Sequence, residues 1–299
     1  MATVPARVED FAASGQSVSR LRALGMTLRR KPLGAVSAAL LVALVLTAIF
    51  ADVLAPYDPL ETHPEIRLSA PSRAHPFGTD DIGRDVLSRI IYGARISLWV
   101  GLLAVGIGTA AGMVIGLLCG YCEGRLDLIV QRVMDAIQAI PGLVLALAIV
   151  AVLKPNTTNA MLAIAVVIIP GNSRIVRGAV LSAKQNRYVE AAQAMGCRHP
   201  RIIMTHILPN VTAPILVIAS IWLGNAILIE ATLSFLGVGT QPPTPSWGLM
   251  LSSTGRAFME QAPWLAIFPG LAISLAVLGF NLFGDTLRDA WDPKLRRNG

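Results

Sequence analysis

Cys119-Gly120-Tyr121-Cys122 has the spacing that could close on a metal ion or cycle between dithiol and disulfide. Neither chemistry gains further support, because no second C-x-x-C pair exists and Cys197, the third cysteine, lies far along the chain. The pair reads as small thiols at a membrane boundary. His63, His75, His199 and His206 do not fall at ligand spacing, and no H-E-x-x-H or G-x-S-x-G stretch occurs. A G-x-x-x-x-G-K-[ST] phosphate loop is also missing, so nucleotide binding by that route is not expected.

The chemistry that the residues do suggest is recognition. Glu190-Ala191-Ala192-Gln193-Ala194-Met195-Gly196 is followed by His206-Ile207-Leu208-Pro209-Asn210, between two apolar runs. A short helix over about 187–195 can stop at Gly196, where positive φ costs little, and restart at Pro200. Ala191, Ala192 and Met195 would then form a small apolar face on which a soluble partner could close. A helical bend in any membrane-protein loop fits the same pattern; the spacing to Leu208-Pro209 favours the docking reading.

Composition defines what must hold this loop. Hydrophobic residues make up 54% of the 299-residue chain and charged residues only 14%, against roughly a quarter in soluble domains. This is an integral membrane protein. Runs free of Asp, Glu, Lys and Arg predict six spans, at about 32–51, 96–122, 136–153, 155–173, 202–229 and 258–287, the last with acids at its margins. The run at 155–173 is the least apolar, diluted by Asn156, Thr157, Thr158, Asn159 and Pro170. Pro141, Pro170, Pro214 and Pro269 fall inside spans, where they can break the helix ladder.

Of the 25 Lys and Arg residues, 18 lie in segments 1–31, 125–132, 174–206 and 288–297, which predicts that both termini are cytoplasmic. The basic excess is then topology and lipid chemistry, with no nucleic-acid partner. Basic residues ahead of the first span resemble a signal peptide, but the apolar run is nearer twenty residues than ten and predicts a retained anchor. The reading divides the chain into a cytoplasmic segment 1–31, an anchor helix 32–55, an external loop 56–95, a five-helix core 96–288 and a cytoplasmic tail 289–299. The core contains the cytoplasmic loop 181–209.

Within the external loop, five prolines argue against helix in the first half. From Gly78 to Tyr92 an interfacial helix is expected to feed the second span, capped by Thr79 or Asp80. Asp127 is expected to pair with Arg132. Glu230 to Gly248 reads as an extended, proline-rich external loop with Trp247 anchored at the membrane interface. No ionisable residue is expected near the middle of a span, which argues against proton or sodium coupling.

Four motif groups together resemble one family. They are His75-Pro76-Phe77-Gly78-Thr79-Asp80 with Gly83-Arg84-Asp85-Val86-Leu87-Ser88-Arg89; the 190–209 loop; Leu233-Ser234-Phe235-Leu236-Gly237 with Gln241-Pro242-Pro243-Thr244-Pro245; and Asn281-Leu282-Phe283-Gly284-Asp285 with Leu287-Arg288-Asp289 and Asp292-Pro293. Over residues 29–296 the chain resembles the second permease subunit of peptide/nickel-type ABC importers, the dipeptide and oligopeptide permease family. The resemblance implies an all-α type I ABC importer permease fold in the bacterial inner membrane, with no enzymatic activity. It implies a heterodimer with a homologous permease, two cytoplasmic ATPases that bind ATP and Mg, and an external substrate-binding protein. No cofactor is implied for this chain. Glu190, Ala191, Ala192, Met195, Gly196, Leu208 and Pro209 would form the ATPase-coupling loop. His206 and Glu123 depart from the general importer pattern without disturbing it. The rival reading is a self-sufficient carrier or channel.

Overall fold

The computed structural model describes residues 32–252 and 257–291. Segment 1–31 and residues 292–299, with their basic residues, lie outside the described residues. Ten helices are named, in chain order: α1 Pro32–Ile49, α2 Ala51–Leu54, α3 Val86–Cys122, α4 Gly124–Gln138, α5 Gly142–Leu153, α6 Thr157–Lys184, α7 Arg187–Ala194, α8 His199–Phe235, α9 Trp247–Leu251 and α10 Trp264–Trp291. Helix α8 contains a π-helical stretch at Ile202–Ile207. Helix α10 carries the last span three residues past 288, into what the sequence reading made a tail.

Five helices (α1, α3, α6, α8 and α10) are long and apolar enough to cross a membrane; the sixth span exists only if α4 and α5, bent by 89°, count as one. Helix α5 alone has 12 residues, a length of roughly 18 Å against about 30 Å of hydrocarbon. The expected span at 136–153 is therefore broken, and Pro141 sits at the break as the residue before α5. Pro170, Pro214 and Pro269 instead lie inside continuous helices. The weakest expected span, 155–173, belongs to a 28-residue helix. Its start is fixed by Asn156, whose side chain accepts from the Asn159 N–H at 2.8 Å.

The tightest packing is between α3 and α6. Gly108, Gly112, Gly116 and Gly120 line one face of α3 at four-residue spacing. A Cβ there would come within 2.7 Å of the Ala165 carbonyl, 2.7 Å of Asn172 Cβ, 2.5 Å of the Ser173 carbonyl and 2.8 Å of Val180 Cβ respectively. With no side chain intervening, the helices approach backbone to backbone, which is how van der Waals packing replaces the missing hydrophobic drive in lipid. Helices α3 and α8 are central. One core cluster joins them to α5 and α6 through Val100, Ala104, Val150, Ile164 and Ala226, and another joins them to α1 and α10 through Leu41, Leu98, Ile227 and Phe280.

Several expectations are corrected on the face that carries the 56–85 segment. Neither Thr79 nor Asp80 caps a helix. Asp80 instead accepts from the Ile82 and Arg84 N–H groups and from Arg84 Nε at 2.6 Å, while Gly83 turns at φ 81°. Helix α3 starts at Val86, capped by Asp85, which accepts from the Ser88 N–H at 2.7 Å and also bonds His75 Nδ1 at 2.9 Å. It then runs unbroken to Cys122, so no separate interfacial helix exists. Trp247 is buried and donates to the Ile90 carbonyl at 3.0 Å, and is not an interfacial anchor. Glu230 lies inside α8, fully buried, accepting from Ser234 Oγ at 2.7 Å and Thr240 Oγ1 at 3.1 Å. It ties the helix to a loop that turns repeatedly where an extended polyproline path was expected.

Candidate docking site

Helix α7 is short and its placement follows from its pattern. Val189 and Ala192, three residues apart, point into a cluster with Val176, Val180, Ile202 and Ile207. Tyr188, Ala191 and Met195, at i, i+3 and i+7, point outward. Tyr188 is 41% exposed and Met195 76% exposed, while Ala192 is 1% exposed. The outward face is thus Tyr188, Ala191 and Met195. Ala192, expected on that face, supports it from beneath. Glu190 is exposed in the first turn of α7.

The helix ends in a Schellman motif: the Cys197 N–H bonds the Ala192 carbonyl at 3.1 Å and the Gly196 N–H bonds the Gln193 carbonyl at 2.9 Å. This geometry needs a left-handed residue, and Gly196 supplies it at φ 76°. The chain then starts α8 at once, with Pro200 in its first turn, so no independent second short helix forms. Leu208 is partly buried against the same cluster and Pro209 is exposed. Proline has no N–H to return up the helix, and the π-helical stretch lies directly before it. The Asn210 side-chain amide donates to the His206 carbonyl at 2.7 Å.

The loop is bonded to the C-terminal end of α3. Tyr121 Oη and His199 Nδ1 are 2.6 Å apart, and Lys184 Nζ donates to the Tyr121 carbonyl and to Glu123 Oε1, each at 2.8 Å. These bonds tie the ends of α3, α6 and α8 together around α7. The sequence reading missed Tyr188, although its i, i+3 and i+7 spacing with Ala191 and Met195 was visible. It also missed the Tyr121–His199 link, for which no local pattern exists.

The other sequence-level candidates fall away or change partner. Cys119 is buried, Cys122 exposed, and both are free; among the described residues no group of His, Cys, Asp or Glu could hold a metal ion. Asp127 pairs with Arg177 across α4 and α6 through two bonds of 2.5 Å, and not with Arg132, which sits 3.8 Å from Asp135. Arg177 wins because α6 brings it against Asp127, whereas Arg132 is exposed and its nearest carboxylate is Asp135.

A bundle with five helices long and apolar enough to cross a membrane is the architecture of a multi-pass membrane protein. The chain belongs to the family of binding-protein-dependent transport system inner membrane components, whose pattern matches residues 112–297. Residues 20–71 match the N-terminal transmembrane domain of oligopeptide transport permease C. The chain is 46% identical to the dipeptide transport system permease protein DppC of Alkalihalophilus pseudofirmus, over 94% of this chain and 92% of that one. It is 47% identical to the glutathione transport system permease protein GsiD of Pectobacterium atrosepticum, over 88% and 87%. With the probable D,D-dipeptide transport system permease protein DdpC of Escherichia coli it shares 45% identity over 89% of each chain. The fold resembles the MetNI methionine ABC transporter in an inward-facing conformation, with a TM-score of 0.57 and 17% identity over 69% of this chain and 98% of that one. The chain is a transport permease of the inner membrane and not an enzyme.

Proposed function

We propose that this chain supplies half of the translocation pathway of an importer for dipeptides, oligopeptides or glutathione-like solutes. It pairs with a homologous permease, receives substrate from an external binding protein, and is driven by two ATP-binding-cassette ATPases that hold ATP and Mg. The substrate class rests on relatives named for dipeptides and glutathione, each matched along most of its length. Both termini face the cytoplasm, in keeping with the 18 basic residues at that end. On this topology α1 is the anchor, the segment ahead of α3 is external, and α3 to α10 form the permease core.

One observation carries the coupling assignment: the Tyr188, Ala191 and Met195 face is exposed on a helix whose other face is locked into the core. An apolar patch held rigidly outside the membrane region suits a groove on a soluble ATPase. Glu190, Gly196, Leu208 and Pro209 set its charge, turn and attachment, and Ala192 sets its height. The test is Ala191→Arg. Its side chain enters open space, so expression is expected to be normal while ATPase co-purification and solute uptake fall together. Normal uptake and normal co-purification in Ala191→Arg would remove this face from the docking site.

A further inference from the structure

We propose that the groove between α4 and α6 binds the phosphate of an anionic membrane lipid. The groove, of about 570 Å³, opens at the end of the bundle that carries Arg174, Arg177 and Lys184. Three guanidinium groups, Arg132, Arg174 and Arg177, line it against two carboxylates, Asp127 and Asp135, leaving one positive charge in surplus.

The hydrogen-bond inventory is as uneven as the charge. Arg177 is committed to Asp127 through Nε and Nη2. Arg174 gives Asp135 one bond, from Nη2 at 2.5 Å. Arg132 is 80% exposed and only 3.8 Å from Asp135, beyond hydrogen-bonding range. Gln131 Nε2 is buried without a hydrogen-bond partner. Gly124 opens α4 at the groove, and no side chain caps that helix, so its first N–H groups add to the positive end. Donors thus outnumber acceptors, and the complementary ligand is an oxyanion.

The surroundings point to a lipid as its source. Helix α4 turns 89° from α5, so it lies across the direction of α5 at the edge of the bundle. Its exposed residues include Leu126, Leu128, Ile129 and Val133, and Leu128 lines the groove itself. An oxyanion carrying acyl chains meets both the arginines and this apolar edge, whereas free phosphate meets only the arginines. This assignment is independent of the docking role of α7.

The test uses the assembled transporter in nanodiscs of phosphatidylcholine with graded phosphatidylglycerol, and counts retained phosphatidylglycerol by native mass spectrometry. Removing one arginine beside a phosphate is expected to weaken retention about fivefold, and Arg132→Gln is suitable because its side chain is exposed. Asp135→Asn raises the surplus charge by one and is expected to strengthen retention by a similar factor. The opposite signs separate a binding site from general damage to α4. Retention unchanged by both substitutions would mean that the groove holds only its own ion pairs or another subunit, and would overturn the proposal. Displacement of phosphatidylglycerol by an equal concentration of inorganic phosphate would identify a free-anion site and overturn it as well.

Discussion

Gly196→Val tests the docking site through backbone conformation alone. A Cβ added at Gly196 meets nothing within 4 Å, so valine introduces no clash there. The cost arises from φ 76°, which a β-branched residue adopts only with strain of about 1–3 kcal/mol. The variant can leave the left-handed region, but then it forfeits the bonds from the Gly196 and Cys197 N–H groups that close the Schellman motif. At about 0.5–1.5 kcal/mol each, those two bonds are worth roughly the strain they would relieve. The closed turn therefore stops dominating, and the C-terminal end of α7, with Met195, loses its fixed direction relative to the part that Val189 anchors. The spans pack elsewhere, so expression and membrane insertion are expected to be normal. Substrate-stimulated ATP hydrolysis by the assembled complex, and uptake, are expected to drop several-fold. Asparagine tolerates the left-handed region best among residues with a Cβ. Gly196→Asn is accordingly expected to keep most of the activity. Equal loss in the valine and asparagine variants would refute the φ argument, and wild-type coupling in Gly196→Val at equal expression would refute the role of the turn.

Gly116→Leu places a Cβ 2.5 Å from the Ser173 carbonyl; overpacking typically costs about 1–3 kcal/mol or more, so thermal stability in detergent should fall and expression with it, whereas Gly106→Leu, where nothing lies within 4 Å, should be neutral. Asp85→Ala removes the cap of α3 together with the His75 bond and is expected to cost about 1–2 kcal/mol, read as earlier unfolding. Substituting Asp127 and Arg177 singly by Ala should each destabilise the α4–α6 contact, and the double variant should lose less than the two losses added, as a double-mutant cycle on the melting temperature would show. Reporter fusions are expected to read cytoplasmic after residue 299 and external near residues 69 and 243; an external signal at the C-terminus would overturn the proposed orientation.

The division between what the sequence reveals and what it conceals follows the range of the forces involved. Spans 32–51, 202–229 and 258–287 were legible because hydropathy is a sum over about twenty residues and tolerates local noise. Gly196 was legible because a helix stop depends on one residue's own φ preference. The cap of α3 was misplaced because Asp80 and Asp85 are equally good caps in isolation. Only the bonds from Arg84 N–H and Nε, which occupy Asp80, decide between them. Asp127 was given the nearer arginine in sequence and took Arg177, fifty residues away, because helix crossing and not chain proximity sets that distance.

The same logic explains why one of the three residues expected on the outward face, Ala192, turns inward instead. Ala191 and Ala192 are identical residues in adjacent positions, and composition cannot say which one a helix turns inward. The choice is made by Val189: a buried valine three residues before Ala192 fixes the rotation of α7 about its axis, and with it the exposure of Tyr188, Ala191 and Met195. Orientation of a short helix is thus a property of its anchoring side, and a docking surface on such a helix is best inferred from what its opposite face buries. By that rule a Val189→Ser substitution should disturb ATPase docking as much as a change at Ala191 does, although Val189 is fully buried and cannot touch the partner. Unaltered docking in a Val189→Ser protein that still inserts normally would mean that α7 is oriented by its two ends alone.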